Sequence, residues 1–170
     1  MYDLMIIGSG PAGISAALTA KARNLNFIWF GSRALSTKIE KAEKIMNYPG
    51  LPAVTGSEMQ SVFLKQIDDC GITITESQVN SIYDCGGYFA AGADNEIYEA
   101  KAVIMTVGMT TTREIEGEAR LLGCGVSYCA TCDGALYKNK DIAVICASPK
   151  FEDEVTFLAG LANYISFHTL

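Results

Sequence analysis

Two successions of strand, small-residue turn, helix and strand, over residues 2–31 and again from residue 142, make this 170-residue chain an α/β protein. Between them lies a run of short strands broken by Asp84, Gly86, Gly87, Asp94 and Asn95. The expected architecture is a parallel sheet carrying an inserted antiparallel meander, followed by the start of a second domain of the same kind. The composition agrees, since 49% hydrophobic and 19% charged residues with 4 prolines exclude disordered, collagen-like and coiled-coil chains.

In chain order, residues 4–7 form an apolar strand, residues 8–13 a turn, and residues 14–22 an alanine-rich helix that Asn24 and Asn26 break. Phe27, Ile28, Trp29 and Phe30 form a second strand ending at Gly31, which completes a βαβ unit of sufficient length. The stretch from Arg33 to Lys44 mixes charges and reads as a solvated loop before the turn Asn47, Tyr48, Pro49, Gly50. From Ser57 to Cys70, apolar Met59, Val62, Phe63, Ile67 and Cys70 recur three and four apart, with Ser57 and Gln60 as a capping box and Gly71 as the stop. Strands are expected at 72–74, 79–83, 88–90 and 97–98, and a buried parallel strand at 102–108. Residues 142–145 open the second unit, Ser148 caps a helix with Pro149 at its first position and Phe151, Val155, Leu158 and Ala159 inward, and residues 164–167 follow as a strand. Trp29, Met105, Met109 and the tyrosines are read as core, and His168 as a strand-end residue.

A net charge of -6 without a basic run argues against nucleic acid. The N-terminus has no basic segment before Gly8 interrupts the apolar run, so no signal peptide is expected, and no stretch is long and apolar enough for a membrane helix. The default setting is cytoplasmic and reducing, where close-spaced cysteines are catalytic or metal-binding rather than structural.

Gly8, Ser9, Gly10, Pro11, Ala12 and Gly13 spell G-x-G-x-x-G directly after a strand and at the opening of a helix. The first glycine permits the turn, the second lets backbone approach a pyrophosphate, and the third allows close helix–strand packing, so the loop points to a dinucleotide. No carboxylate lies between Asp3 and Glu40, so the acid that usually holds an NAD ribose at the end of the second strand is missing. Cys129 and Cys132 form a CxxC followed by Asp133, a spacing that suits a reducible disulfide with an adjacent proton carrier. The competing reading is an iron–sulfur or zinc site, because Cys124, Cys129 and Cys132 have C-x4-C-x2-C spacing and Cys146 would supply a fourth ligand. Against it, Cys146 ends a buried strand, away from a loop thiolate.

The residues around the first glycine loop, the 47–50 turn, Thr106 to Gly108, and above all the run from Gly125 through Cys129, Cys132 and Asp133 to Gly134 resemble the low-molecular-weight flavoprotein thioredoxin reductases in register to about residue 146. The resemblance implies a Rossmann-like FAD-binding domain over residues 1–113 and an incomplete second Rossmann-like domain over 114–170 that carries the disulfide. It implies that Cys132 faces the flavin, Cys129 attacks thioredoxin, and Asp133 is the acid–base. Gly8 to Gly13, Phe30, Gly31, Ser32, Leu35, Asn47, Val79, Thr106 and Gly108 would lie by FAD. Only Leu35 matches the family's Gly-Gly-Gln-Leu segment. The Thr110-to-Glu118 link with Gly117, Gly123 and Gly125 is the expected hinge, a homodimer is the expected assembly, and the chain is read as the N-terminal part of a protein nearly twice as long.

The resemblance also locates a departure. NADPH-using members carry a second G-x-G-x-x-A loop after the strand at 142–145, where this chain has Cys146, Ala147, Ser148, Pro149, Lys150 and Phe151. Their next strand ends in a His-Arg-Arg motif, where this chain has His168, Thr169 and Leu170. Loss of both halves of the site resembles the ferredoxin-dependent flavin thioredoxin reductases of anaerobic bacteria and implies ferredoxin as electron donor. The alternative within the family is an NAD(P)H-dependent thioredoxin reductase or hydroperoxide-reductase component with a divergent site.

Overall fold

The structure is a computed structural model, and it describes residues 1–108, 115–146 and 148–169. Met109, Ala147, Leu170 and most of the Thr110-to-Glu118 link lie outside the described residues, as does the boundary placed at residue 113. The chain forms two compact units, Met1–Lys41 with Gly56–Arg113, and Ala42–Thr55 with Glu114–Leu170. The grouping of Ala42–Thr55 with the second unit is not visible in a contiguous division of the sequence.

In the first unit, β1 (Tyr2–Ile7), α1 (Pro11–Ala22) and β2 (Phe27–Phe30) form the βαβ motif, with β1 and β2 parallel and Ile7 opposite Phe30. Pro11 stands at the start of α1, where its missing N–H costs nothing, and Gly13, Ile14, Ala17 and Ala20 make its buried face. A short helix, α2 (Thr37–Glu40), capped by the Ser36 hydroxyl, occupies the stretch expected to be loop. In α3 (Gly56–Asp69), Met59, Gln60, Phe63 and Ile67 are buried, whereas Val62 is exposed. Buried Gln60 donates its amide to the Ser36 carbonyl and so ties α3 to α2.

Strands β3 (Val79–Asp84), β4 (Phe89–Ala93) and β5 (Glu96–Met105) make the meander, and the sheet order is β2-β1-β5-β4-β3. The two strands expected at 97–98 and 102–108 are one ten-residue strand that stops at Met105. Its first half pairs antiparallel with β4 and its second half parallel with β1, and fully buried Ala100 lies opposite both Phe89 and Tyr2. Glu99 and Lys101 are exposed on either side of Ala100, so the polar letters mark alternation rather than a break. Residues 72–74 form no strand, although Ile72 and Ile74 are buried and Thr75 bridges Phe30. Met5, Ile7, Ile28 and Phe30 pack with Ala91, Ala93 and Ala100, and Phe30 meets Tyr98 edge-on at 5.0 Å.

The second unit contains α4 (Glu118–Leu121), α5 (Ala130–Asp133), β6 (Asp141–Cys146), α6 (Glu152–Ala159) and β7 (Tyr164–Thr169). Strands β6 and β7 are parallel, with Ile145 opposite His168. Pro149–Phe151 is a 3-10 turn, so α6 begins three residues later than expected and Phe151 is exposed rather than inward. Tyr83, Tyr128, Tyr164 and Met105 are exposed, unlike the core reading, while Trp29 is fully buried.

Candidate functional site

In the first unit, Ile7–Ala12, Phe30, Gly31, Leu35 and the 105–108 segment line a cleft of about 730 Å³, a size suited to a cofactor. Strand β1 delivers the glycine turn to its edge. A Cβ on Gly8 would meet the Thr106 carbonyl oxygen at 2.3 Å, and one on Gly13 would meet the Gly8 carbonyl oxygen at 2.0 Å. Those two positions are therefore closed to side chains by backbone. A Cβ on Gly10 would meet nothing within 4 Å. The Gly8 carbonyl accepts from the Trp29 indole N–H at 2.8 Å and shares the single proton of the Thr106 hydroxyl with the Ile7 carbonyl, each at 3.0 Å. Because the peptide is planar and trans, holding that carbonyl inward turns the Ser9 N–H away from Trp29 and Thr106.

The Ser9 hydroxyl donates to the Leu35 carbonyl at 3.1 Å and accepts the Ser32 N–H at 3.0 Å. It lies so close to Gly31 that a Cβ there would meet the Ser9 Cβ at 2.5 Å. Leu35 is buried with φ 51, a left-handed conformation held by these contacts. Helix α1 has neither a side-chain cap nor an acidic residue in its first turn, so its free N–H groups favour an anion. Val79, Thr106 and Gly108 also line the cleft. Gly13 packs beneath the loop and Ser32 braces Ser9, neither forming part of the lining, and exposed Asn47 belongs to the second unit. Ser36, Ser77 and Gln78 line the cleft without having been singled out in the sequence, where they stand in no motif.

In the second unit, Cys129 and Cys132 form a disulfide, with Cα atoms 5.2 Å apart. Cys129 caps α5, its sulfur accepting the Cys132 N–H, and it is half-buried, whereas Cys132 is exposed. The Ser127 hydroxyl donates to Asp133 Oδ2 at 2.5 Å and accepts the Cys129 N–H at 3.1 Å. Thr131, between the cysteines, donates to Glu154 of α6 at 3.4 Å. Gly134 lies against α6, where a Cβ would come within 3.0 Å of Phe157. Burial pushes the Tyr137 phenol above its ordinary value, and the charges of Asp133 and Glu43 push it in the same direction. Ser127 escaped the sequence reading although it stands inside the cysteine motif. A serine just ahead of a helix cap is the available signal.

The disulfide takes two of the four cysteines a metal cluster would need. Buried Cys146 donates its S–H to the Ser148 carbonyl at 3.0 Å, and among the described residues no group of three or more ligating side chains converges.

A family model described as pyridine nucleotide-disulphide oxidoreductase matches residues 2–149. The chain belongs to that family. Among the similar members, a thioredoxin reductase from Bacillus subtilis is 30% identical over 98% of this chain and 53% of its own length. A solved thioredoxin reductase from Streptococcus pyogenes is 32% identical, with a TM-score of 0.84 over 98% of this chain and 55% of that one. A solved ferredoxin-flavin thioredoxin reductase from Clostridium acetobutylicum is 43% identical, with a TM-score of 0.64 over 99% of this chain and 59% of that one. The chain spans about half the length of the curated relatives it matches. The likeness to thioredoxin reductases drawn from the motifs therefore holds, as does the Rossmann-like fold. FAD is the cofactor of thioredoxin reductases in this pyridine nucleotide-disulphide oxidoreductase family, and the cleft fits it, with open space at Gly10 and an uncapped, acid-free helix start beside it.

Proposed function

We propose that this chain is the FAD- and disulfide-bearing part of a thioredoxin reductase that draws its electrons from ferredoxin rather than NADPH. The observation that carries the donor assignment is the contrast between its two glycine-loop positions. Helix α1 presents a glycine turn and no carboxylate, whereas α6 opens with Glu152, Asp153 and Glu154 behind a 3-10 turn containing Phe151. Three carboxylates in a first turn satisfy the helix dipole themselves and repel a pyrophosphate. The neighbouring β7 ends in His168 and Thr169, without the arginine pair that would grip a 2′-phosphate. The 43% identity to the Clostridium protein supports the same reading.

By this reading, Gly8 to Gly13 and the helix α1 N-terminus hold the pyrophosphate of FAD, and Phe30, Gly31, Ser32, Leu35, Asn47, Val79, Thr106 and Gly108 are its further binding residues. Bound FAD supplies a carrier that takes up electrons singly and passes them on in pairs. The Cys129–Cys132 disulfide takes up two electrons and two protons to become a dithiol. The Cys129 thiolate then attacks the thioredoxin disulfide, forming a mixed disulfide while the first thioredoxin sulfur leaves. Cys132 attacks Cys129, restoring the disulfide and releasing the second sulfur. Asp133 passes the thiol protons to the leaving sulfurs. The disulfide domain over 114–170 moves relative to the FAD domain over 1–113 between these steps, and a cytoplasmic homodimer is the assembly that the family likeness supports.

Anaerobic titration of the FAD-loaded protein tests the donor. NADPH and NADH should leave the flavin spectrum unchanged, while reduced ferredoxin should bleach it. Rapid bleaching by either nicotinamide would overturn the assignment in favour of the NAD(P)H-dependent reading, which the family description favours.

A further inference from the structure

We propose that Ser127 is a positioning residue that keeps Asp133 hydrogen-bonded both as carboxylate and as carboxylic acid, so that proton transfer at the disulfide proceeds without rearrangement. The inference rests on the disulfide reading above. A hydroxyl has one proton to donate and two lone pairs to accept with, whereas a carboxylate only accepts and a carboxylic acid can donate. The Ser127 oxygen takes the Cys129 N–H on one lone pair at 3.1 Å and donates its proton to Asp133 Oδ2. It also has a second acceptor for that proton, the Cys129 carbonyl at 3.4 Å. That carbonyl receives the Asp133 N–H at 3.1 Å and has a lone pair left.

The two states therefore exchange by turning one O–H bond. With Asp133 charged, Ser127 donates to it. With Asp133 protonated, the carboxyl donates to the free lone pair of Ser127, whose own proton turns to the Cys129 carbonyl. Asp133 Oδ2, the Ser127 hydroxyl and the Cys129 carbonyl each keep a partner in both states, which avoids the cost of an unpaired group each time the proton moves. The exchange cycle needs this twice. The Cys129 thiol proton passes to Asp133 and on to the first leaving sulfur as the electron pair of the thiolate forms the mixed disulfide, and the Cys132 thiol proton follows by the same route to the second.

Two oxidants separate this role from simple support of the turn. Oxidised thioredoxin releases a thiolate that must be protonated, while dithiobis(nitrobenzoate) releases one that is stable without a proton near neutral pH. The full, FAD-loaded chain and its variants are reduced with dithiothreitol, freed of it anaerobically, and mixed with either oxidant. Reformation of the Cys129–Cys132 disulfide is then quantified by mass spectrometry after acid quench. Ser127→Ala and Ser127→Val should lower the ratio of the thioredoxin rate to the nitrobenzoate rate about tenfold, and Asp133→Asn at least as much. Ser127→Thr, isosteric with the valine variant but bearing a hydroxyl, should keep the ratio within about twofold of the parent. Equal losses with both oxidants, or none, in the alanine and valine variants would overturn the role of Ser127 while Asp133→Asn still lowers the ratio. An unchanged ratio in Asp133→Asn would overturn the acid–base role of Asp133 and this inference with it.

Discussion

At Gly8, Gly10 and Gly13, a single absent Cβ serves two different ends. Gly13 faces the Gly8 carbonyl across a space that no methyl can enter, whereas Gly10 faces open space on the cleft. Gly13→Ala should therefore destabilise the fold by about 1–3 kcal/mol, read as a lowered thermal midpoint. Gly10→Ala should melt like the parent and instead weaken FAD, read by titration of the flavin-free chain. Trp29 adds a second test of the same loop, because its indole N–H is one of two side-chain donors to the Gly8 carbonyl. Trp29→Phe keeps most of the buried ring and removes that donor, so it should cost about 1 kcal/mol in urea denaturation and weaken FAD as well. Equal FAD affinity in parent and variant would show that the carbonyl is held without the indole.

Among the elements, β5 is held by partners far from it in the sequence. Its Lys101 pairs with Asp3 at the start of β1 at 2.7 Å, and the Asn26 N–H before β2 binds the same carboxylate. The Lys101 ammonium, followed by the Asn26 N–H, holds the Asp3 carboxyl below its ordinary value of 3.8. A carboxyl whose folded value is depressed stabilises the fold above its unfolded value and loses that contribution as pH falls through the folded one. Asp3→Asn should therefore lower the urea midpoint near neutral pH, and the gap to the parent should close as pH falls below 3.8 and on through the depressed folded value. A gap that persists undiminished in acid would mean that Asp3 acts through packing rather than charge.

For the whole molecule, the one tryptophan in the sequence lies in the first unit and the buried free thiol Cys146 in the second. Trp29 fluorescence and labelling of Cys146 therefore follow the two units separately. FAD at a hundredfold excess over its dissociation constant adds about 2.7 kcal/mol to whatever binds it, so it should raise the Trp29 midpoint more than the Cys146 midpoint. Equal shifts would show that the two units unfold together rather than independently. Much of this organisation is legible in the chain itself. The glycine turn, the alanine-rich helix and the Cys129–Cys132 pair depend on steric and hydrogen-bonding rules that act within a few residues, and the structure has all three, with α1 starting at Pro11 rather than at residue 14. The continuity of β5 was not legible, because Ala100 belongs to a strand only once Tyr2 and Phe89 flank it. The clasp of the Gly8 carbonyl by Trp29 and Thr106, and the bracing of Leu35 through Ser9, join residues 21 to 98 apart. Periodicity carries no information at that range, and only the packed sheet decides which of many buried side chains meets which carbonyl.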